Sequence, residues 1–189
     1  MKKTLFLNAC VRHESRTKRL ADHLLERLDG QVEEVNLEFE RPAPLDLHAL
    51  EEREKLLESC AYDDKMFRYA RQFATADIIV IAAPYWDLSF PASLKNYIER
   101  INAIGITFDY NEAGEPYGLC AAEKLYYITT AGGKILSDDY GFGYIQALCE
   151  RFYEIPELHY YKAENLDLVG AEVEGILQEA MQNIDRSLE

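Results

Sequence analysis

Long hydrophobic runs are missing from this sequence. Nothing approaches the roughly 18 consecutive apolar residues that a membrane-spanning helix needs, so no membrane span is expected. The opening Met1-Lys2-Lys3-Thr4-Leu5-Phe6-Leu7-Asn8 has the charge of a signal peptide, but its apolar stretch is short and meets Asn8 and Arg12. It reads as a first strand, and a cytoplasmic protein is expected. Close-set metal and redox ligands are lacking too. Cys10, Cys60, Cys120 and Cys149 lie too far apart for a CxxC pair, and His13, His23, His48 and His159 are scattered. Free thiols and no metal site are expected. Positive charge is scarce, with 20 Lys and Arg against 34 Asp and Glu, a net charge of −14. Such a chain repels polyphosphate at long range, which argues against nucleic acid as a partner. Repeats, linkers and low-complexity tracts are absent, so the 189 residues read as one domain able to bury a sizeable core.

What is present alternates between strand-like and helix-like segments. Lys3 to Ala9 is a compact apolar run. Ser15 to Asp29 then sets Leu20, Ala21, Leu24, Leu25 and Leu28 on one helical face, with Gly30 as a stop. Val32, Val35 and Leu37 predict a short second strand. Arg41-Pro42-Ala43-Pro44 marks a turn, followed by two helical stretches, the second with Met66, Phe67, Ala70, Phe73 and Ala74 on one face. Asp77 to Pro84 is apolar without alternation, as in a strand covered by helices on both sides. Pro91 suits the first turn of the next helix, which buries Leu94, Ile98 and Ile101. A fourth strand spans Lys124 to Thr130. A helix with Ile145, Leu148, Cys149 and Phe152 follows, then a fifth strand near Leu158 to Ala163. The last helix carries Val173, Ile176, Leu177, Ala180 and Ile184.

Five strands separated by helices predict an α/β fold, a doubly wound parallel sheet with helices on both faces. No G-x-G-x-x-G follows the first strand, which favours the strand order 2-1-3-4-5 over the dinucleotide-binding order. Ligands then bind at the carboxyl ends of the strands, in the loops after strands one, three and four.

The first loop, Asn8 to Thr17, runs into a helix, and positions 12 to 19 hold four of the 20 Lys and Arg, as Arg12, Arg16, Lys18 and Arg19. A helix start offers free N–H groups and a positive dipole end, so Ser15, Arg16 and Thr17 are candidate phosphate ligands, with Cys10 beside them. The second loop, Pro84-Tyr85-Trp86-Asp87-Leu88, offers the flat apolar surface that a planar amphipathic ring requires. The third, Thr130-Ala131-Gly132-Gly133, lets backbone N–H groups approach such a ring because no Cβ intervenes.

The run Ala83-Pro84-Tyr85-Trp86-Asp87-Leu88-Ser89-Phe90-Pro91, closed by Leu94-Lys95 and Glu99-Arg100, resembles the flavin-contacting motif of the flavodoxin-2 family of NAD(P)H:quinone and azo reductases. Gly105-Ile106-Thr107-Phe108-Asp109-Tyr110 and the Thr-x-Gly-Gly element continue the likeness. The resemblance implies one flavodoxin-like domain over residues 1–189, binding FMN, with NAD(P)H as cosubstrate. It also implies two-step hydride transfer to a small-molecule acceptor of quinone, azo or nitroaromatic type, and a homodimer with Phe108, Tyr110 and Tyr117 on a projecting segment. Three positions depart from the usual pattern: Cys10 replaces serine or histidine, Tyr85 methionine, and Asp87 asparagine. Tyr140 is the nearest counterpart of a tyrosine that balances charge on the reduced flavin in some quinone reductases of this fold, with packing beneath its helix the competing expectation.

Two other readings come from different classes. Cys10, Arg16 and Thr17 resemble the Cys-x5-Arg-[Ser/Thr] loop of low-molecular-weight tyrosine phosphatases and arsenate reductases. Those enzymes also use a late Asp-Pro dipeptide, which this sequence lacks. A flavodoxin-type electron carrier without catalysis is the third.

Overall fold

The computed structural model describes residues 1–188. Its centre is a five-stranded parallel sheet of β1 (Lys3–Asn8), β2 (Gln31–Asn36), β3 (Ile78–Ala82), β6 (Lys124–Thr130) and β7 (Glu157–Ala163), in the order β2-β1-β3-β6-β7. In strand-only numbering this is 2-1-3-4-5. The chain moves outward from β1 to β2 and then returns to the other side of β1, so the switch point lies between β1 and β3.

Alternation along the strands builds two cores. Leu5, Leu7, Ile79, Ile81, Leu125 and Tyr127 face one side. There they meet α4 (Arg68–Ala74), α5 (Ala92–Ile101) and α6 (Phe142–Leu148), through Phe73, Leu94, Tyr97 and Ile145. Phe6, Ile78, Val80, Tyr126 and Ile128 face the other side, against Leu20 and Leu24 of α1 (Arg16–Leu25) and Leu177 and Ile184 of α7 (Val173–Leu188). Both faces being covered explains why β3 reads as an unbroken apolar run.

Several boundaries differ from expectation. α1 ends at Leu25, and Gly30 lies beyond it at φ +118°, where a Cβ would stand 2.2 Å from the Lys2 carbonyl oxygen. Gly30 therefore admits the chain beside β1 at the start of β2. Leu37 is not in the second strand. Asn36 caps a short helix α2 (Leu37–Glu40) by accepting from the Glu38 N–H, which outweighs strand propensity there. The two helical stretches after the proline turn are α3 (Leu47–Glu58) and α4, the latter entered through a 3-10 turn at Lys65–Phe67. α6 widens into a π-helical turn at Cys149–Tyr153. Two short strands, β4 (Phe108–Tyr110) and β5 (Pro116–Gly118), form a separate antiparallel hairpin. Within it Phe108 folds back onto its own chain, its ring 4.6 Å from that of Phe152, while Tyr110 and Tyr117 stay exposed.

Candidate functional site

The first loop begins with Asn8, whose side-chain oxygen accepts from the Cys10 N–H at 2.9 Å and turns the chain off β1. Cys10 is 6% exposed, with Sγ 3.7 Å from the Ala82 carbonyl oxygen. Burial pushes its thiol up to about 11, against a weaker opposing hydrogen bond from Ser15. Ser15 caps α1, accepting from the Lys18 N–H at 3.2 Å. The N–H groups of Arg16 and Thr17, at the first two helical positions, have no intrahelical acceptor to reach. The cationic cluster divides. Lys18 pairs with Asp22 at 2.7 Å, Arg19 with Glu174 at 2.7 Å and Arg16 with Asp167 at 2.6 Å. Arg12 has no ion pair among the described residues.

The second loop is a tight reversal. Trp86 and Ser89 exchange backbone hydrogen bonds of 2.9 and 2.8 Å, with Asp87 at φ 50° and Leu88 at φ 70° between them. Two positive-φ residues inside a two-residue loop make a turn of the I′ kind. Asp, like Asn, tolerates this conformation, which gives position 87 a backbone reason for either residue. Leu88 has no such ease. The Ser89 hydroxyl donates to the Tyr140 carbonyl at 2.5 Å, tying the turn to the loop before α6. Tyr140 itself is 60% exposed and does not pack beneath that helix. Trp86 is 42% exposed on the rim. The Tyr85 hydroxyl is buried without a partner among the described residues, in a crevice with Tyr127, Thr129 and Asp138.

The third loop is held by the sheet and by the segment after β7. The Tyr85 N–H donates to the Thr130 carbonyl at 3.0 Å, and Ala131 N–H to Ala163 at 2.9 Å. Asp167 N–H donates to the Gly132 carbonyl at 2.8 Å, so closely that a Cβ on Gly132 would lie 2.3 Å from the Asp167 carboxylate. A Cβ on Gly133 would meet nothing within 4 Å. Thr17 and Thr130, both buried, share a hydrogen bond of 2.7 Å, joining the first loop to the third.

These loops enclose a cleft of about 310 Å³ at the switch point. Of the residues singled out from the sequence, Ser15, Arg16, Thr17, Pro84, Tyr85, Trp86, Thr130, Ala131 and Gly132 line it. Cys10 lies beneath the loop, and Asp87, Leu88, Gly133 and Tyr140 do not line the cleft. Leu166 and Asp167 complete the wall and were not foreseen. They sit after β7, at the same carboxyl edge, in a loop the switch-point rule does not single out. Their signal was the polar break Glu164-Asn165 directly after a strand. Glu14 brings an acidic group to the mouth, while the charge of Asp167 is met by Arg16.

The family model flavodoxin-2, described as a flavodoxin-like fold, matches residues 2–188. A relative from Clostridium acetobutylicum, named FMN-dependent NADH:quinone oxidoreductase 2, is 34% identical over 199 aligned positions, covering 96% of each chain. One from Lachnoclostridium phytofermentans, named FMN-dependent NADH:quinone oxidoreductase, is 34% identical over 196, again covering 96% of each. Among solved structures, an FMN-dependent NADH-azoreductase from Bacillus anthracis in complex with FMN superposes with a TM-score of 0.82 at 25% identity, covering 100% of this chain and 98% of that one. With strand order, edge loops and nearly the whole length in agreement, the chain belongs to the flavodoxin-2 family.

Proposed function

We propose that this protein is an FMN-dependent NADH oxidoreductase acting on quinone- or azo-type acceptors. The observation that carries the reading is the pairing, in one cleft, of an anion-binding helix start with an aromatic rim and a glycine edge. Ser15, Arg16 and Thr17 with their free N–H groups would hold the FMN phosphate. The Ser15 oxygen accepts from the Lys18 N–H, and its hydroxyl proton, which reaches the Cys10 sulfur here, would turn to a phosphate oxygen on binding. Pro84, Tyr85 and Trp86 would lie along the ring, and Thr130, Ala131, Gly132 and Gly133 along its polar edge. Gly133 stands just past the cleft wall, with nothing within 4 Å of where a Cβ would be, so a ring edge extending beyond Gly132 would meet its backbone. Bound FMN supplies hydride acceptance and donation, and the protein supplies binding, orientation and electrostatics. Asp87, at the tip of its turn, keeps its carboxylate off the cleft wall.

Cys10 joins this arrangement as a small wall beneath the loop, in the thiol form. A phosphatase would need a thiolate beside an uncommitted arginine. Here the thiol is buried and pushed up, and Arg16 is engaged by Asp167.

The relatives' names make NADH the donor to test first. A homodimer fits the exposed Tyr110, Tyr117 and Leu119 around the hairpin, since tyrosines are enriched in interface cores. No helix among the described residues is long and apolar enough to cross a membrane. Purified protein loaded with FMN should oxidise NADH when a benzoquinone is added and should not hydrolyse p-nitrophenyl phosphate. Phosphatase activity without NADH oxidation would reverse the reading. Light scattering at micromolar concentration should give the mass of two chains, and a single-chain mass would remove the dimer.

A further inference from the structure

A second cavity, of about 220 Å³, lies apart from the cleft. Its wall carries Arg41, Lys65, Arg68 and Arg100, with Glu40 as the acidic member. These cations come from three stretches of the sequence, Arg41, Lys65 with Arg68, and Arg100, in a chain of net charge −14. Their concentration around one hollow is not what an acidic surface yields by dispersal.

The hydrogen bonds leave much of this charge unspent. Arg41 donates through Nε to the Glu38 carbonyl and through Nη2 to the Glu38 carboxylate, both at 2.8 Å, leaving Nη1 uncommitted. Arg68 gives Nη2 to Glu40 and to Tyr69, each at 2.5 Å, and its guanidinium lies 4.2 Å from the centre of the Tyr69 ring. Arg100 uses Nε on the Ala43 carbonyl at 2.7 Å, which fixes the plane of its fork and leaves both terminal nitrogens free. Neither Arg100 nor Lys65 has an ion pair among the described residues. Asp64, next to Lys65, directs Oδ1 to the Met66 N–H at 2.8 Å. Behind the wall, Arg53 donates to carbonyls of Glu99 and Asn102, and its charged form is disfavoured first by burial and then by Arg100. Four cations thus line the hollow with one carboxylate, Glu40, while Glu38 beside Arg41 and Asp64 beside Lys65 stand outside its wall. On the far side of Arg68 a separate groove carries Glu33 and Glu34, so the attraction for an anion is confined to the Lys65 and Arg100 side.

We infer that this hollow is a binding site for a phosphate oxyanion. Partly committed guanidinium forks leave donors in fixed directions, the geometry that recognises tetrahedral oxyanions. An anion there relieves the crowding of like charge that the protein itself leaves unpaired. The cavity is small beside the roughly 300–1,000 Å³ of sites that enclose whole organic ligands, so the inorganic ion is the fitting occupant.

The test uses FMN-loaded protein, so that the cleft is filled, and titrates inorganic phosphate by calorimetry at constant ionic strength. One saturable site with a millimolar or lower dissociation constant is expected, weakened at least tenfold in Lys65→Gln/Arg100→Gln. Should the loss of Arg100 disturb folding, Lys65→Glu alters only an exposed side chain and should weaken binding at least as much. NADH oxidation should be unchanged in Lys65→Glu, because the site stands apart from the cleft. No saturable phosphate binding, or equal affinity in wild type and the variants, would overturn the inference without touching the flavin reading.

Discussion

Thr17 and Thr130 stand 113 residues apart in the sequence, and their hydroxyl oxygens lie 2.7 Å from one another in the buried seam between the first and third loops. The bond sets the distance between the start of α1 and the glycine edge, so it fixes the width of the cleft. Thr17→Val keeps the shape and removes the hydroxyl, leaving that of Thr130 without its partner. A loss of about 1–2 kcal/mol in urea unfolding is expected, with a weaker hold on FMN. In the double variant with Thr130→Val the two losses should not add, because one bond is shared.

Leu88 at φ 70° carries the cost of a left-handed backbone without the means to offset it. Leu88→Val places a β-branched residue there and should lower stability by about 1 kcal/mol or more. Leu88→Gly should hold or raise it, since the relieved strain at least matches the added chain entropy. Urea midpoints in the opposite order would mean that the turn is not strained.

Gly132 and Gly133 should behave differently as alanines. Gly132→Ala drives a Cβ to 2.3 Å from the Asp167 carboxylate and should loosen both the third loop and the Arg16 ion pair. Gly133→Ala meets open space and should fold as wild type. It should still lose FMN affinity by tenfold or more if the ring edge runs past that residue. Fluorescence titration of FMN, paired with thermal melting of the apoprotein, separates the two effects.

Alkaline stability follows from three thiols. Burial raises Cys10 to about 11 and Cys120 and Cys149 to about 12, from an unfolded value of 9.0. Above pH 9 the unfolded chain has released protons that the folded chain retains. The unfolded state then binds fewer protons, and stability falls as pH rises. The contribution is complete below the unfolded value and is lost on the way to 11 and 12. The slope approaches about 1.4 kcal/mol per thiol per pH unit at its steepest. Urea midpoints measured from about pH 8 to about pH 10 should decline, and Cys10→Ser should flatten the decline without abolishing NADH oxidation.

Much of this was legible in the sequence because it is local. The unbroken apolar run of β3, the spacing of Leu20, Leu24 and Ala21, and the cap at Ser15 each follow from neighbours in the chain. Three of the edge loops' positions follow from strand order alone. The partners of the cationic cluster were not legible, since Glu174 and Asp167 lie more than 150 residues away from Arg19 and Arg16. The same distance hid the contribution of Leu166 to the cleft. Leu37 misled because its β-favouring neighbours preceded a helix cap whose effect depends on the Asn36 side chain. The burial of Cys10 depends on β3 lying directly beneath it, a contact that only the assembled sheet creates.

The most direct test of the account is the identity of the cofactor the protein carries. Protein purified and loaded with a mixture of FMN and FAD should be yellow, and denaturation should release about one FMN per chain, identified by mass. A terminal phosphate seated on the start of α1 predicts that result. Release of FAD, or a colourless protein that takes up neither flavin, would contradict it.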